Sequence, residues 1–197
     1  YGISDNPDSY DHYGNDSFFT DIDRGVVIKD NFNNGMFEIS SQGKKSYFKE
    51  LFRNNTINHV NGKYDQYYDY YILNIQYNEN QYVTWIYSDR DNGWLGKLPF
   101  NPEDMIRVNN DFFSFFNGNI YKHNQEFNNG QPNCNTFYGE GFPSKFKFVF
   151  SQEPSTRKEF KTIATESTDA WDVVAVTDMN SGYINKVDFE KQEGVFY

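Results

Sequence analysis

Cysteine is nearly missing from this chain: Cys134 stands alone in 197 residues, which excludes an internal disulfide framework and any cysteine-rich metal site. It is read as an ordinary unpaired thiol. Leucine is also scarce, with four in the sequence, so the usual material of amphipathic helices is lacking. No run approaches the roughly 20 apolar residues that a membrane-spanning helix needs, and no basic-then-apolar signal opens the chain, so no membrane anchor is expected. Positive charge is the minority, 18 Lys and Arg against 28 Asp and Glu for a net charge of -10. Such a balance repels a phosphate backbone, and specific nucleic-acid binding is not expected.

The signatures of chemistry are missing as well. His12, His59 and His123 are scattered in polar surroundings, with no Gly-x-Ser-x-Gly elbow, no His-Glu-x-x-His pair and no phosphate loop, which argues against a hydrolytic triad, a zinc site or nucleotide chemistry. Asp5, Asp8, Asp11 and Asp16 raise the question of calcium. An EF-hand counted from Asp5 needs glycine at its sixth position and glutamate at its twelfth, where Tyr10 and Asp16 stand, so the stretch reads as a solvated loop. Glu153, Glu159, Glu166 and Asp169 lie near aromatic segments and could in principle pair as a glycosidase would require, but in so acidic a chain near neighbours are expected without function. No catalytic, cofactor-binding or metal-binding residue is assigned, and the chain is read as non-enzymatic.

What is abundant is aromatic: 20 Phe, 16 Tyr and 3 Trp, set among Asn, Asp and Gly at a mean hydropathy of -0.85. Together these imply short aromatic strands joined by tight turns, a mainly β protein of antiparallel hairpins. Phe18–Thr20 with Gly25–Ile28 forms one such pair, and Met36–Ile39 follows the turn residues Asn33, Asn34 and Gly35. Tyr71, Leu73, Ile75 and Tyr77 alternate with Ile72, Asn74 and Gln76, the period of a half-buried strand, and Tyr82 to Tyr87 returns after Asn78-Glu79-Asn80. Phe112 to Phe116, Asn117-Gly118 and Ile120-Tyr121 make a hairpin whose turn needs positive φ twice. Phe146, Phe148 and Phe150 alternate and are answered by Phe160 to Ile163, and Asp172 to Thr177 is answered by Tyr183 to Phe189. The one convincing helix, Lys44 to Arg53, places Tyr47, Phe48, Leu51 and Phe52 on one face, and Asn101-Pro102-Glu103-Asp104 suggests a further short helical turn.

Hairpins at this spacing suggest propeller-like blades, with a β-sandwich as the alternative. Asn15-Asp16-Ser17-Phe18-Phe19 and Asn110-Asp111-Phe112-Phe113 hint at an internal repeat. A possible sub-boundary falls near residues 89–102. The chain begins Tyr1-Gly2-Ile3 rather than with Met, and Gly194-Val195-Phe196-Tyr197 reads as the start of a strand in need of a partner. Residues 1–197 are therefore expected to be a piece of a larger β-rich structural protein, with the remainder of that polypeptide as one partner. Exposed rings beside amides could also stack on sugars, although the same enrichment is typical of protein interfaces.

Several strings, in order, carry a family resemblance. They are Tyr1-Gly2-Ile3-Ser4-Asp5-Asn6-Pro7, Phe19-Thr20-Asp21 with Arg24-Gly25-Val26-Val27, and Tyr64-Asp65 with Tyr70-Tyr71-Ile72-Leu73. Further on stand Phe112-Phe113-Ser114-Phe115, Gly118-Asn119-Ile120-Tyr121-Lys122-His123-Asn124 and Asn135-Thr136-Phe137-Tyr138-Gly139. Phe148-Val149-Phe150, Glu153-Pro154-Ser155, Phe160-Lys161-Thr162-Ile163, Trp171 and Gly182-Tyr183-Ile184 complete the set. With these strings the chain resembles the virion structural proteins of crAss-like and related tailed bacteriophages, in particular the large tail protein called the muzzle, similar in role to the nozzle of short-tailed phages. The resemblance implies a virion location, a propeller-containing subunit that forms a ring with copies of itself around the DNA exit channel, contacts with other tail proteins and a part in gating genome ejection. It implies no catalytic residue. The alternative function is a receptor- or glycan-binding tail module.

Overall fold

A computed structural model describes residues 2–3, 6–150, 153 and 155–197. Asp5, and the parts of the family strings at Tyr1, Ser4 and Pro154, lie outside these residues. The chain is mainly β, with 46% of it in strands; among the described residues there is one α-helix and every strand pairing is antiparallel. Two compact units divide between Lys145 and Phe146. Residues 89–102 fall inside the first unit, where they hold a strand at Gly93–Leu98.

The first unit is built from consecutive meanders. Strands β1 (Asp11–Tyr13), β2 (Asp16–Asp21), β3 (Val26–Asn31) and β4 (Gly35–Glu38) form one four-stranded sheet in chain order. Ile39, expected to end the last strand, instead begins a 3₁₀ turn. Helix α1 (Lys45–Asn54) follows within a residue of its expected bounds and buries Phe48, Leu51 and Phe52, while the Asn55 amide donates to the Leu51 carbonyl at 2.8 Å and closes its C-terminus. The second four-stranded sheet contains β5 (Ile57–Asp65), β6 (Tyr70–Tyr77), β7 (Gln81–Ser88) and β8 (Gly93–Leu98). A third sheet has β9 (Asp104–Val108), β10 (Asp111–Phe116) and β11 (Asn119–Lys122), with β10 in the middle. The hairpins β12 (Phe127–Asn128) with β13 (Gln131–Pro132) and β14 (Thr136–Phe137) with β15 (Glu140–Gly141) complete the unit.

The second sheet is the middle layer, and this changes the meaning of the alternation in β6. Tyr71, Leu73 and Ile75 pack with Phe18 and Val27 of the first sheet and with Phe48 and Leu51 of α1. Ile72, on the opposite face, packs with Phe100, Met105 and Phe112 of the third layer. Asn74, which period alone assigned to the wet side, is fully buried. Its amide donates to Thr84 Oγ1 at 2.8 Å and to Asn101 Oδ1 at 3.1 Å, Thr84 donates to the Phe100 carbonyl at 2.6 Å, and Asn61 donates to Asp104 Oδ1 at 2.8 Å. A strand covered on both faces can carry polar side chains on one of them only when each finds such a partner.

This seam also corrects the expected helical turn at Asn101–Asp104. Asn101 Oδ1 is engaged by Asn74, the Pro102 carbonyl accepts from Gln76 at 3.1 Å, and Glu103 Oε1 accepts from the Asn117 backbone at 3.0 Å. With the capping amide held across the seam, the segment forms no helical turn and leads into β9.

The Asn15 and Asn110 strings occupy equivalent places. Each leads into the second strand of a meander, β2 or β10, and in each the leading aspartate meets a lysine of the third strand. Asp16 lies 3.2 Å from Lys29 Nζ, and Asp111 lies 2.7 Å from Lys122 Nζ, with Phe18 opposite Lys29 and Phe113 opposite Lys122 in register. Among the described residues the meanders close into neither a barrel nor a propeller.

The second unit, residues 146–197, contains β16 (Thr165–Glu166), β17 (Val173–Val176), β18 (Ser181–Ile184), β19 (Lys191–Gln192) and β20 (Val195–Phe196). β17 and β18 form the expected hairpin, but the return stops at Ile184, where Asn185 caps a 3₁₀ turn. β20, read from sequence as a strand in need of partners, is central between β16 and β19. The expected pairing of Phe146–Phe150 with Phe160–Ile163 is not formed as a sheet, although the Phe150 and Phe160 rings meet at 5.8 Å. Phe146, Phe148, Phe150 and Phe160 are exposed, and an isolated two-stranded ribbon is marginal in water.

Candidate interaction surface

The histidines, scattered along the sequence, separate in their environments. His12 stacks beside Tyr10, and His59 lies 3.9 Å from Asp8. His123 does not sit in polar surroundings at all: the rings of Phe100, Phe112 and Phe137 surround it, and burial pushes its imidazole down to about 4. Its Nε2 lies 2.6 Å from Ser114 Oγ, which is 2.9 Å from the Tyr138 hydroxyl. Burial holds the Tyr138 hydroxyl protonated, pushed up to about 12. A consistent proton order has Tyr138 donating to Ser114 and Ser114 donating to neutral His123.

A serine this close to a histidine resembles a nucleophile and its base, yet Ser114 is 0% exposed and packed beneath Tyr138, so no substrate reaches its oxygen. The arrangement is a clasp. It holds the β14–β15 turn, where Tyr138 sits at φ 55, a costly backbone region for an aromatic residue. The Tyr138 ring lies flat on Phe116, with centroids 4.4 Å apart and planes at 3°, and Phe137 stacks on Phe100 at 4.9 Å. Sequence spacing does not reveal this cluster, because its members come from β10, the end of β11 and a hairpin about 15 residues further on.

The acidic candidates do not converge. Asp11 accepts from the Tyr64 backbone at 2.7 Å, and Asp16 accepts from Asn31 while pairing with Lys29. Glu153, Glu159, Glu166 and Asp169 are all exposed in the second unit, and no cluster suited to a metal ion occurs among the described residues. Cys134 is a free, exposed thiol. A shallow cleft is lined by His59, Gln76, Asn101, Pro102, Glu103 and Phe116, but the Gln76 and Asn101 amides are engaged in the seam.

What stands out is uncovered apolar surface. None of the described residues of the second unit is buried. Phe146, Phe148 and Phe150 are 78%, 57% and 67% exposed, and their rings follow one another at 5.4 and 5.8 Å. Trp171, Val174, Val176 and Tyr183 are exposed too. Patches of this kind mark surfaces that other molecules cover. The stretch is also locally basic, with Lys145, Lys147, Arg157, Lys158 and Lys161 against Glu153 and Glu159, a reversal of sign that the whole-chain charge conceals.

Residues 132–197, about a third of the chain, match the family model described as the Crassvirus muzzle protein C-terminal domain. This segment is similar to crassvirus muzzle domains. The match supports a muzzle protein of crAss-like phages, located in the virion tail, and a structural family of this kind supports a non-enzymatic chain. No curated protein shows a significant match. The matched segment begins at Pro132, so that of the clasp it contains Tyr138 but not Ser114 or His123, and it runs through the whole second unit. Thus its first residues are pinned to the third sheet by Phe137 and Tyr138, and the remainder carries the exposed rings. No helix among the described residues is long and apolar enough to cross a membrane.

Proposed function

We propose that the chain is a non-enzymatic component of the phage tail muzzle, one subunit of a ring around the DNA exit channel, in contact with copies of itself, with other tail proteins and with the remainder of its own polypeptide. The observation that carries this reading is the coincidence of the matched segment with a unit that exposes its aromatic residues and buries none of those described. A ring subunit needs two different surfaces that meet head to tail, and uncovered aromatic surface is the usual material of such contacts. The successive meanders, two of four strands, and the repeated aspartate–lysine pairing support a blade-like construction. The net charge of -10 would keep DNA from adhering to a channel wall, which fits a role in gating ejection.

Cross-linking mass spectrometry on purified virions tests the reading, because Lys145, Lys147, Lys158 and Lys161 lie within the exposed stretch. Links from these lysines to other copies or to tail proteins are expected. A virion containing the chain but yielding no such link from any of them overturns it.

A second reading, a glycan-binding tail module, has one observation in its favour. Tyr67 and Tyr68 are exposed at the β5–β6 turn, with ring centroids 4.7 Å apart, and Tyr68 stacks on Tyr70 at 5.7 Å. Specific binding on a glycan array, lost on Tyr68→Ala, would favour this reading over the assembly role.

A further inference from the structure

The three-layer stack of the first unit is finished at one end and open at the other. At the first sheet, the face turned away from the stack buries Phe19, Val26 and Ile28, with Ile3 packed against them. The middle sheet is covered on both sides. The third sheet turns Met105, Phe112 and Ser114 inward, while its other face carries Ile106, Val108, Phe113, Phe115 and Ile120. Register places these side by side, since Phe113 is opposite Ile106 and Phe115 is opposite Ile120. Ile120 is 65% exposed, and among the described residues of the first unit no second layer covers this face.

We infer that the outer face of the third sheet receives the Phe146–Phe150 strip of a second copy of this chain, making a head-to-tail contact between muzzle subunits. This rests on the ring reading above and specifies its two surfaces. The strip alternates Phe146, Phe148 and Phe150 with Lys147 and Val149, so one edge offers three rings in a row to an aliphatic and aromatic sheet face. Its backbone belongs to no sheet among the described residues.

Charge selects the partner. The stretch from Lys145 to Ile163 has five basic and two acidic side chains, whereas residues 1–144 have 11 basic and 19 acidic. Two strips brought together would repel, but a strip on the acidic body of another copy is attracted; Asp111 at the receiving face is itself paired with Lys122, so the attraction comes from the body as a whole. The two surfaces therefore differ in shape and sign, which makes the contact heterologous, able to propagate around a closed ring.

Sedimentation of the whole chain tests this. Wild type is expected to associate with rising concentration, while Phe148→Asp and Ile120→Asp, both exposed positions, each remain monomeric with unchanged circular dichroism. An equimolar mixture of the two variants is expected to form a heterodimer and nothing larger, because each retains the one surface that the other lacks. Variants that associate like wild type, a mixture that stays monomeric, or a wild type monomeric up to about 100 µM would each overturn the inference. If virion cross-links place the chain among tail proteins while the chain alone stays monomeric, this contact fails and the assembly role stands.

Discussion

Gly62 lies in the middle of β5, where a side chain has no room. A Cβ there would stand 2.1 Å from the Tyr71 hydroxyl, 2.7 Å from its Cζ and 2.5 Å from the Ser9 carbonyl oxygen. None of these atoms can easily withdraw: Tyr71 is wholly buried, its ring stacks on Phe18 at 4.8 Å, and its hydroxyl donates to the same Ser9 carbonyl at 2.6 Å. Gly62→Ala therefore forces the tyrosine aside, at about 1–3 kcal/mol for overpacking, and breaks a buried hydrogen bond worth about 1–3 kcal/mol when one partner is left unsatisfied. The expected loss is about 2–6 kcal/mol, a large share of a typical domain's stability. Tyr71→Phe should cost about 1–2 kcal/mol by losing the hydrogen bond alone. In the double variant the 2.1 Å contact no longer exists and the hydrogen bond is lost only once, so the two costs should fall short of additivity by about 1 kcal/mol or more. Urea unfolding followed by tryptophan fluorescence reads this, since Trp85 and Trp94 lie in the same core. A Gly62→Ala protein within about 0.5 kcal/mol of wild type, or strictly additive costs, would refute the packing argument.

His123 gives a pH dependence. Burial lowers its folded value to about 4, so as pH falls below the unfolded value of about 6.5 the unfolded chain takes up a proton that the folded chain refuses. Stability from this group is complete above about pH 6.5 and declines by up to about 3 kcal/mol toward pH 4, and the difference between wild type and His123→Phe across that window isolates it in urea titrations. Lys29 Nζ bridges Asp89 at 2.5 Å and Asp16 at 3.2 Å, tying the first sheet to the turn after β7. Lys29→Met leaves two partly buried carboxylates without their cation and should cost about 1–3 kcal/mol, with Asp89→Asn in the same chain recovering part of it. Tyr138→Phe keeps the ring on Phe116 but removes the bond to Ser114, for a loss of about 1 kcal/mol. Hydrogen exchange should quicken at the β14–β15 hairpin and not in β10, and equal protection at both would show that the hydroxyl does not hold the clasp.

Local order was legible wherever one residue type carries one conformation. Asn117 and Gly118 adopt φ 49 and 72, the double positive turn that their identity demands, and α1 lies where four apolar residues share a face. Alternation gave β6 its strand but not its surroundings, because period two reports a difference between faces and not whether a third layer covers the polar one. Asn74 and Thr84 are buried by residues more than ten positions away, and nothing near them in sequence says so. The clasp was hidden for the same reason, and it also breaks a local rule, since Tyr138 occupies a backbone region that sequence reasoning reserves for Gly, Asn and Asp. At Phe146–Phe150 the pattern promised a strand, and the residues join no sheet among those described, because a ladder of rings needs a surface beneath it and these rings are exposed.

The uncovered face of the third sheet bears on how meanders of this kind can be completed. Blade sheets in a propeller pack face to face, each covered by its neighbours, and a ring of them closes with roughly four to eight. The first unit has three such layers, and among its described residues one end is capped around Ile3 and the other has no cover. Three layers stacked in this way cannot cover the last face with the first, whose outer residues are already buried. Whatever covers Ile106, Val108 and Ile120 must therefore bring its own apolar surface, and the exposed Phe146–Phe150 strip is such a surface, in a stretch whose positive charge directs it away from other strips and toward an acidic body.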